Sequence, residues 1–349
     1  MSNLQIGLAI AGGVILAGVV AHGAWNSRRN APRQAKPEPA REPQVDDTTA
    51  REPVLGDLEA PESQPLSVPS PARRSTMDSL IDVIATIALD SPGMVVSGEA
   101  AIAAMPATRR AGSKPYAIEG YNVNTLAWEA PLPGQRYGGF QAGVQLANRS
   151  GALNEIEYSE FVVKTQAFAD AISATPEFPE MLEEVARARE LDQFASAHDA
   201  QLGFTIRARN ASWSPGYVQQ NAARLGFVAG VIPGRMVLPS ATEAMAPVLV
   251  LSFDPQAALA EDPAQSAVRD IALHLDVAHV ARAEQPFERM RDVATALSQA
   301  MDGVVTDDNG QLLSSQTMDQ IGSELTLLYD TLEQRDLAAG SLLARRLFA

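Results

Sequence analysis

Residues 4–25, LQIGLAIAGGVILAGVVAHGAW, form a run without a formal charge, interrupted only by Gln5 and His22. No other feature constrains this chain as strongly. At ~1.5 Å per residue, about 22 helical residues span roughly 33 Å, enough to cross the hydrocarbon core of a bilayer. Trp25 stands where an interfacial aromatic belongs, and Arg28, Arg29, Arg33 and Lys36 follow it. No basic side chain precedes the run. The positive-inside rule then places the short N-terminus outside and everything after Trp25 in the cytoplasm. A cleaved signal peptide would need a basic leader, which residues 1–5 lack, and arginines directly after the run would oppose its export. Ala9, Gly13, Ala17 and Ala21 recur four apart, as in helix-pairing stripes. The general abundance of Gly and Ala in membrane spans accounts for that spacing equally well.

Residues 26–75 carry nine prolines, from Pro32 to Pro71, among Ser, Thr, Gln and mixed charges. No apolar period survives there, so the segment cannot bury enough surface to offset its chain entropy and is expected to be a disordered linker. Proline stiffens such a chain toward polyproline II, which caps its reach at roughly 155 Å.

The formal net charge is −15. Residues 26–75 hold 8 basic and 8 acidic side chains, so the whole excess, 34 acidic against 19 basic, lies beyond residue 75. An acidic domain is a poor match for nucleic acid, which attracts a basic footprint. It is also held off an anionic bilayer. The absence of cysteine excludes disulfides, thiolate metal sites and thiol nucleophiles.

Beyond the linker, strands are expected over 77–90, 114–121 and 139–148, and helices over 98–105, 156–172 and 179–198. The pattern then begins again. Residues 202–208 read as a strand, and Ser214-Pro215 as an N-cap with Pro at the first helical position. Strands follow near 226–238, 247–253 and 270–277, then a helix at 287–301, a strand at 303–306 and a helix at 315–334. Strands and helices mix without strict alternation, which implies α+β with a mostly antiparallel sheet and helices packed on one face. The two halves suggest a duplicated unit of about 120 residues; the alternative is one larger sheet. The expected organisation is an anchor at 1–26, a linker at 27–76, an additional α+β half at 77–198 and a final domain at 199–349.

Catalytic signatures are missing. His22, His198, His274 and His279 form no HExxH or other metal-ligand spacing, and no nucleotide-binding glycine motif or GxSxG elbow occurs. Asp307-Asp308-Asn309-Gly310 lacks the alternation and closing Glu of a calcium loop and reads as a turn. Gly138-Gly139 with Gly143 reads as a turn at a strand start, and Glu183-Glu184 as a solvated helix face. No cofactor, metal or small-molecule substrate is expected, and the chain does not read as an enzyme.

The segment ATALSQAMDGVVTDDNGQLLSSQTMDQIG, ending at Gly322, resembles an A-x-x-I-A-x-x-x-G-G-V-V-x-D-D stretch followed by a helix that starts at Ser or Thr. GYVQQNAARLGF, at 216–227, resembles the helix-to-strand step of the same domain. Together they resemble the ZipA family of bacterial division proteins over about 199–335; the anchor and linker match in kind. The resemblance implies an inner-membrane adaptor, not a catalyst, that binds the C-terminal peptide of FtsZ, anchors and bundles its filaments, and supports septal ring assembly. It also implies a shallow apolar channel on the free sheet face. The corresponding positions are Gly203 and Thr205, Val231 and Ile232, Leu251 and Phe253, and Ala272 and His274. His274 stands where enteric members have Phe, and residues 77–198 have no counterpart in those members.

Alternation puts Ile271, Leu273 and Leu275 on the core face and leaves Ala272, His274 and Asp276 free. Over 247–253 both faces are apolar, so the pattern does not say which side Leu251 and Phe253 take. Two other readings stay open from the residues alone. One is a membrane-anchored scaffold for other division or envelope proteins; the other, disfavoured by the missing chemistry, is a membrane-bound enzyme.

Overall fold

The computed structural model describes residues 32–35, 77–91, 93–242, 245–262 and 266–349. Among these, no helix is long and apolar enough to cross a membrane. The anchor expected at 1–26 lies outside the described residues, as does the linker at 27–76 apart from 32–35. The described chain is α+β, built on two separate large antiparallel sheets rather than one, together with a small two-stranded sheet. It divides between Phe194 and Ala195 into two compact units, with residues 32–35 belonging to the second.

The N-terminal unit runs through β1 (Asp82–Leu89), β2 (Val96–Ser97), α1 (Gly98–Ala104), β3 (Arg110–Ala111), β4 (Lys114–Asn122) and β5 (Ala127–Glu129). It continues with β6 (Arg136–Gln145), β7 (Ala147–Asn148), β8 (Gly151–Ala152), α2 (Glu155–Ala171), β9 (Ala174–Glu177) and α3 (Met181–His198). Its main sheet has the order β3-β4-β6-β1-β9. Val83, Ala85 and Ile87 of β1 pair with Val144, Ala142 and Phe140 of β6, and all six are buried. That period of two fixes which face meets α2. Phe140 stacks edge-on against Phe168 of α2, 5.3 Å between ring centroids, and Tyr116 against Phe161, 6.0 Å. Asn154 starts α2 with a reciprocal capping box to Glu157. The strand expected from residue 77 begins at Asp82, because Asp78 folds the preceding residues into a turn and accepts from the Leu80 and Ile81 amides. β9 is not among the strands expected from the sequence. Its ATPE stretch has no apolar alternation, and Pro176 is tolerated because β9 is an edge strand.

The C-terminal unit runs β10 (Gln201–Ala208), α4 (Pro215–Arg224), β11 (Val228–Ala229), β12 (Arg235–Leu238), β13 (Leu249–Ser252), α5 (Pro255–Ala258) and β14 (Asp270–Asp276). It closes with α6 (Pro286–Met301), β15 (Gly303–Thr306), α7 (Ser315–Glu333) and α8 (Leu342–Leu347). The sheet order is β11-β12-β13-β14-β10-β15. Ser214 caps α4 by accepting from the Tyr217 amide, with Pro215 at the first position as expected. α6 buries Phe287, Met290, Ala294, Leu297 and Met301 at spacings of three and four, so one stripe of the helix lies on the sheet. Phe204, Ile206, Leu249, Leu251, Leu273 and Leu275 supply the sheet side of that core.

Residues 32–35 are held against this unit. Arg33 donates its amide to Ser212 O and accepts from Ser214 N. Its guanidinium reaches Met301 O at 3.1 Å and Asp302 Oδ2 at 2.8 Å. Trp213, fully buried between these contacts, donates its ring N–H to Met301 O.

The two sheets share one strand permutation. Matching β1, β3, β4, β6 and β9 to β10, β12, β13, β14 and β15 reproduces the same spatial order. The intervening helices fall in the same intervals: α1 and α4 after the first strand, α2 and α6 before the last, α3 and α7 after it. In each unit a left-handed residue stands immediately before the last strand, at the end of the helix that precedes it: Ser173 at φ 56 after α2 and Asp302 at φ 57 after α6. A non-glycine residue in that region is uncommon, and Asp tolerates it better than most.

Candidate functional site

Helices α4 and α6 take one face of the C-terminal sheet and leave the other open. Register decides which side chains stand on the open side. β11 to β10 align Val228, Val237, Val250, His274 and Gly203 in one row. The next row is Arg235, Ser252, Ala272, Thr205 and, on β15, Thr306. Directly opposed residues share a face, so these rows form one surface. All are half-buried or exposed except Thr306.

Four of the eight expected channel residues, Gly203, Thr205, Ala272 and His274, meet on this surface. Leu251 and Phe253 do not, and their expected placement is corrected. Leu251 pairs with Met236 and Leu273, both core-facing, and it is fully buried; Phe253 is only 6% exposed. On this stretch of the chain it is Val250 and Ser252 that face outward. Val231 and Ile232 lie beyond the strands, in the loop between β11 and β12, and both are exposed. Arg235 N–H bonds to Ile232 O across Pro233-Gly234. Pro at the second place and Gly234 at φ 75 suit a type II turn. A Cβ on Gly234 would come within 2.6 Å of the Phe253 carbonyl oxygen, so the close approach also demands glycine.

The face has two chemical zones. Val228, Val237 and Val250 make an apolar strip on three neighbouring strands, with Ile232 and Val231 exposed at the hairpin end beside it. The other zone is small and polar. Ser252 Oγ lies 3.1 Å from His274 Nε2. A side chain on Gly203 would meet Asp308 Oδ1 at 2.9 Å, so the turn after β15 folds over that end of the face. Arg207 is held to Asp270 at 2.8 Å along the margin. The connection that leads from β12 to β13 is pinned by Glu284, which accepts from the Ser240 hydroxyl at 2.6 Å and the Ala241 amide at 2.9 Å and pairs with Arg289. The Ser240 hydroxyl, then the Ala241 amide and Arg289, hold its carboxyl below the usual carboxylate range against the opposing effect of burial. Such a surface offers shape and apolar contact to an extended peptide.

Val228, Arg235, Val237, Val250 and Ser252 stand on the face and are not among the positions expected from the sequence. The alternation of Met236 and Leu238 would have turned Val237 outward. For Val250 no comparable signal existed, because residues 248–251 are all apolar.

No curated protein matches the chain. Residues 253–324, from the end of β13 into α7, match the family described as ZipA, C-terminal FtsZ-binding domain. That stretch holds β14, the strand at the centre of the open face, with α6 and β15, and the match supports a ZipA-type protein.

Proposed function

We propose that the protein is a non-catalytic adaptor of bacterial cell division that binds the C-terminal tail of FtsZ on the open face of the C-terminal sheet. The observation that carries this reading is the family match over residues 253–324, which takes in β14 and β15 of that face and α6 behind it. The valine strip would supply apolar affinity. The 18 acidic against 11 basic side chains of residues 195–349 would attract a tail with basic residues and lend salt dependence. Residues 4–25 would anchor the chain in the inner membrane with a short periplasmic N-terminus, and 27–76 would serve as the tether. Many weak tail contacts along one polymer would give firm attachment and filament bundling.

Sedimentation tests the reading. The full chain in detergent should pellet with FtsZ polymer and stay in the supernatant with polymer that lacks its C-terminal tail. Equal pelleting with both would contradict it.

A further inference from the structure

We infer that the N-terminal unit is a second, diverged copy of the C-terminal one, and that its open sheet face binds a second tail of the same partner. This rests on the tail-binding function proposed above. The two sheets share their strand permutation, their helix intervals and a left-handed residue immediately before the last strand, Ser173 and Asp302. Three independent coincidences of this kind are expected of a repeat and not of unrelated pieces.

The open faces correspond row by row. Glu119, Gln141, Thr86 and Glu177 align across β4, β6, β1 and β9. The matching row of the C-terminal unit is Ser252, Ala272, Thr205 and Thr306. The neighbouring row, Ala117, Gly143 and Ile84, matches Val250, His274 and Gly203. Each face is closed at one point by a side chain folded over a glycine. Met77 Sδ lies 2.7 Å from where a Gly143 Cβ would be, as Asp308 does at Gly203. Ala117, Thr86 and Gly143 are the small residues of this face, and a groove lined by Ala117, Glu119, Ile102, Met105, Arg109 and Pro131 borders it. An extended peptide backbone suits such a surface.

Charge selects the occupant. Of the two carboxylates in the N-terminal rows, Glu177 is exposed, whereas Glu119 is buried and accepts from Gln141 Nε2 at 2.9 Å. Residues 77–194 carry 16 acidic against 8 basic side chains. The C-terminal unit has nearly the same excess. The C-terminal rows themselves hold Arg235 and no carboxylate. The attraction of a basic, partly apolar peptide therefore comes from the net charge of each unit, and two such faces would make one chain a bivalent cross-link between tails.

Calorimetric titration of the full chain with a synthetic FtsZ tail peptide tests this. Two peptides per chain are expected. Val250→Arg should reduce the count to one by blocking the C-terminal face. Thr86→Arg and Ala117→Arg, each at an exposed position, should separately reduce it to one by blocking the other. Val250→Arg with Thr86→Arg should leave none. One peptide per wild-type chain, lost with Val250→Arg and untouched by both N-terminal variants, overturns the inference and leaves the proposed function standing. No binding to the wild type would overturn both.

Discussion

Ser252 and His274 sit diagonally across β13 and β14, the two central strands of the C-terminal sheet, with the serine hydroxyl 3.1 Å from His274 Nε2. This pair breaks the open face into an apolar strip of valines and a zone of small polar side chains. A peptide laid across both zones has to leave one polar contact unmatched or satisfy it.

Replacing that histidine follows directly. His274→Phe should extend the valine strip across the middle of the sheet and tighten tail binding at this site about three- to tenfold, on the order of 1 kcal/mol of added apolar burial. Isothermal titration would show it. Unchanged or weaker binding would place the peptide away from His274.

The outward and inward residues of β13 should separate binding from stability. Leu251→Ala removes a fully buried side chain and should cost about 2–5 kcal/mol in denaturant unfolding. Val250→Arg, one residue earlier, should shift unfolding by no more than about 1 kcal/mol while removing the C-terminal tail site. An equal stability loss in both variants would contradict the register.

Glu284 gives a pH dependence. Its folded carboxyl titrates below its ordinary value, so its contribution is complete above the unfolded carboxylate pKa of roughly 4.3. That contribution disappears as pH falls through the lower folded value. Glu284→Gln should therefore destabilise the protein by about 1 kcal/mol at pH 7, with the difference from wild type shrinking in acid. A difference that grows below pH 4 would contradict this sign.

Arg33 has both backbone groups bonded to the C-terminal unit and its guanidinium on Asp302. Asp302→Asn keeps a residue type that tolerates the left-handed junction but removes the charge. Trypsin cleavage after Arg33, followed by mass spectrometry, should speed up in this variant. An unchanged rate would show that the backbone pairing alone holds the segment.

How far the sequence foretold all this depended on local contrast. Ile271, Leu273 and Leu275 alternate with Ala272, His274 and Asp276, so the inward face of β14 was readable from period alone. Leu249, Val250 and Leu251 offer no contrast, and only pairing of Leu251 with Leu273 turns it inward. β9 escaped notice because Thr175, Pro176 and Glu177 carry no apolar signal; its place comes from pairing with β1. The recurrence of strands and helices was visible along the chain. That both units share one permutation is a property of pairing between distant segments, which sequence order does not contain.

The proposed seat of the FtsZ tail is the open face of the C-terminal sheet. Photo-crosslinking from position 250, on that face, and from position 327, exposed on α7, tests it most directly. With FtsZ polymer present, a crosslinker replacing Val250 should join the chain to the FtsZ tail and one replacing Leu327 should not. Crosslinking from 327 and none from 250 would contradict the account.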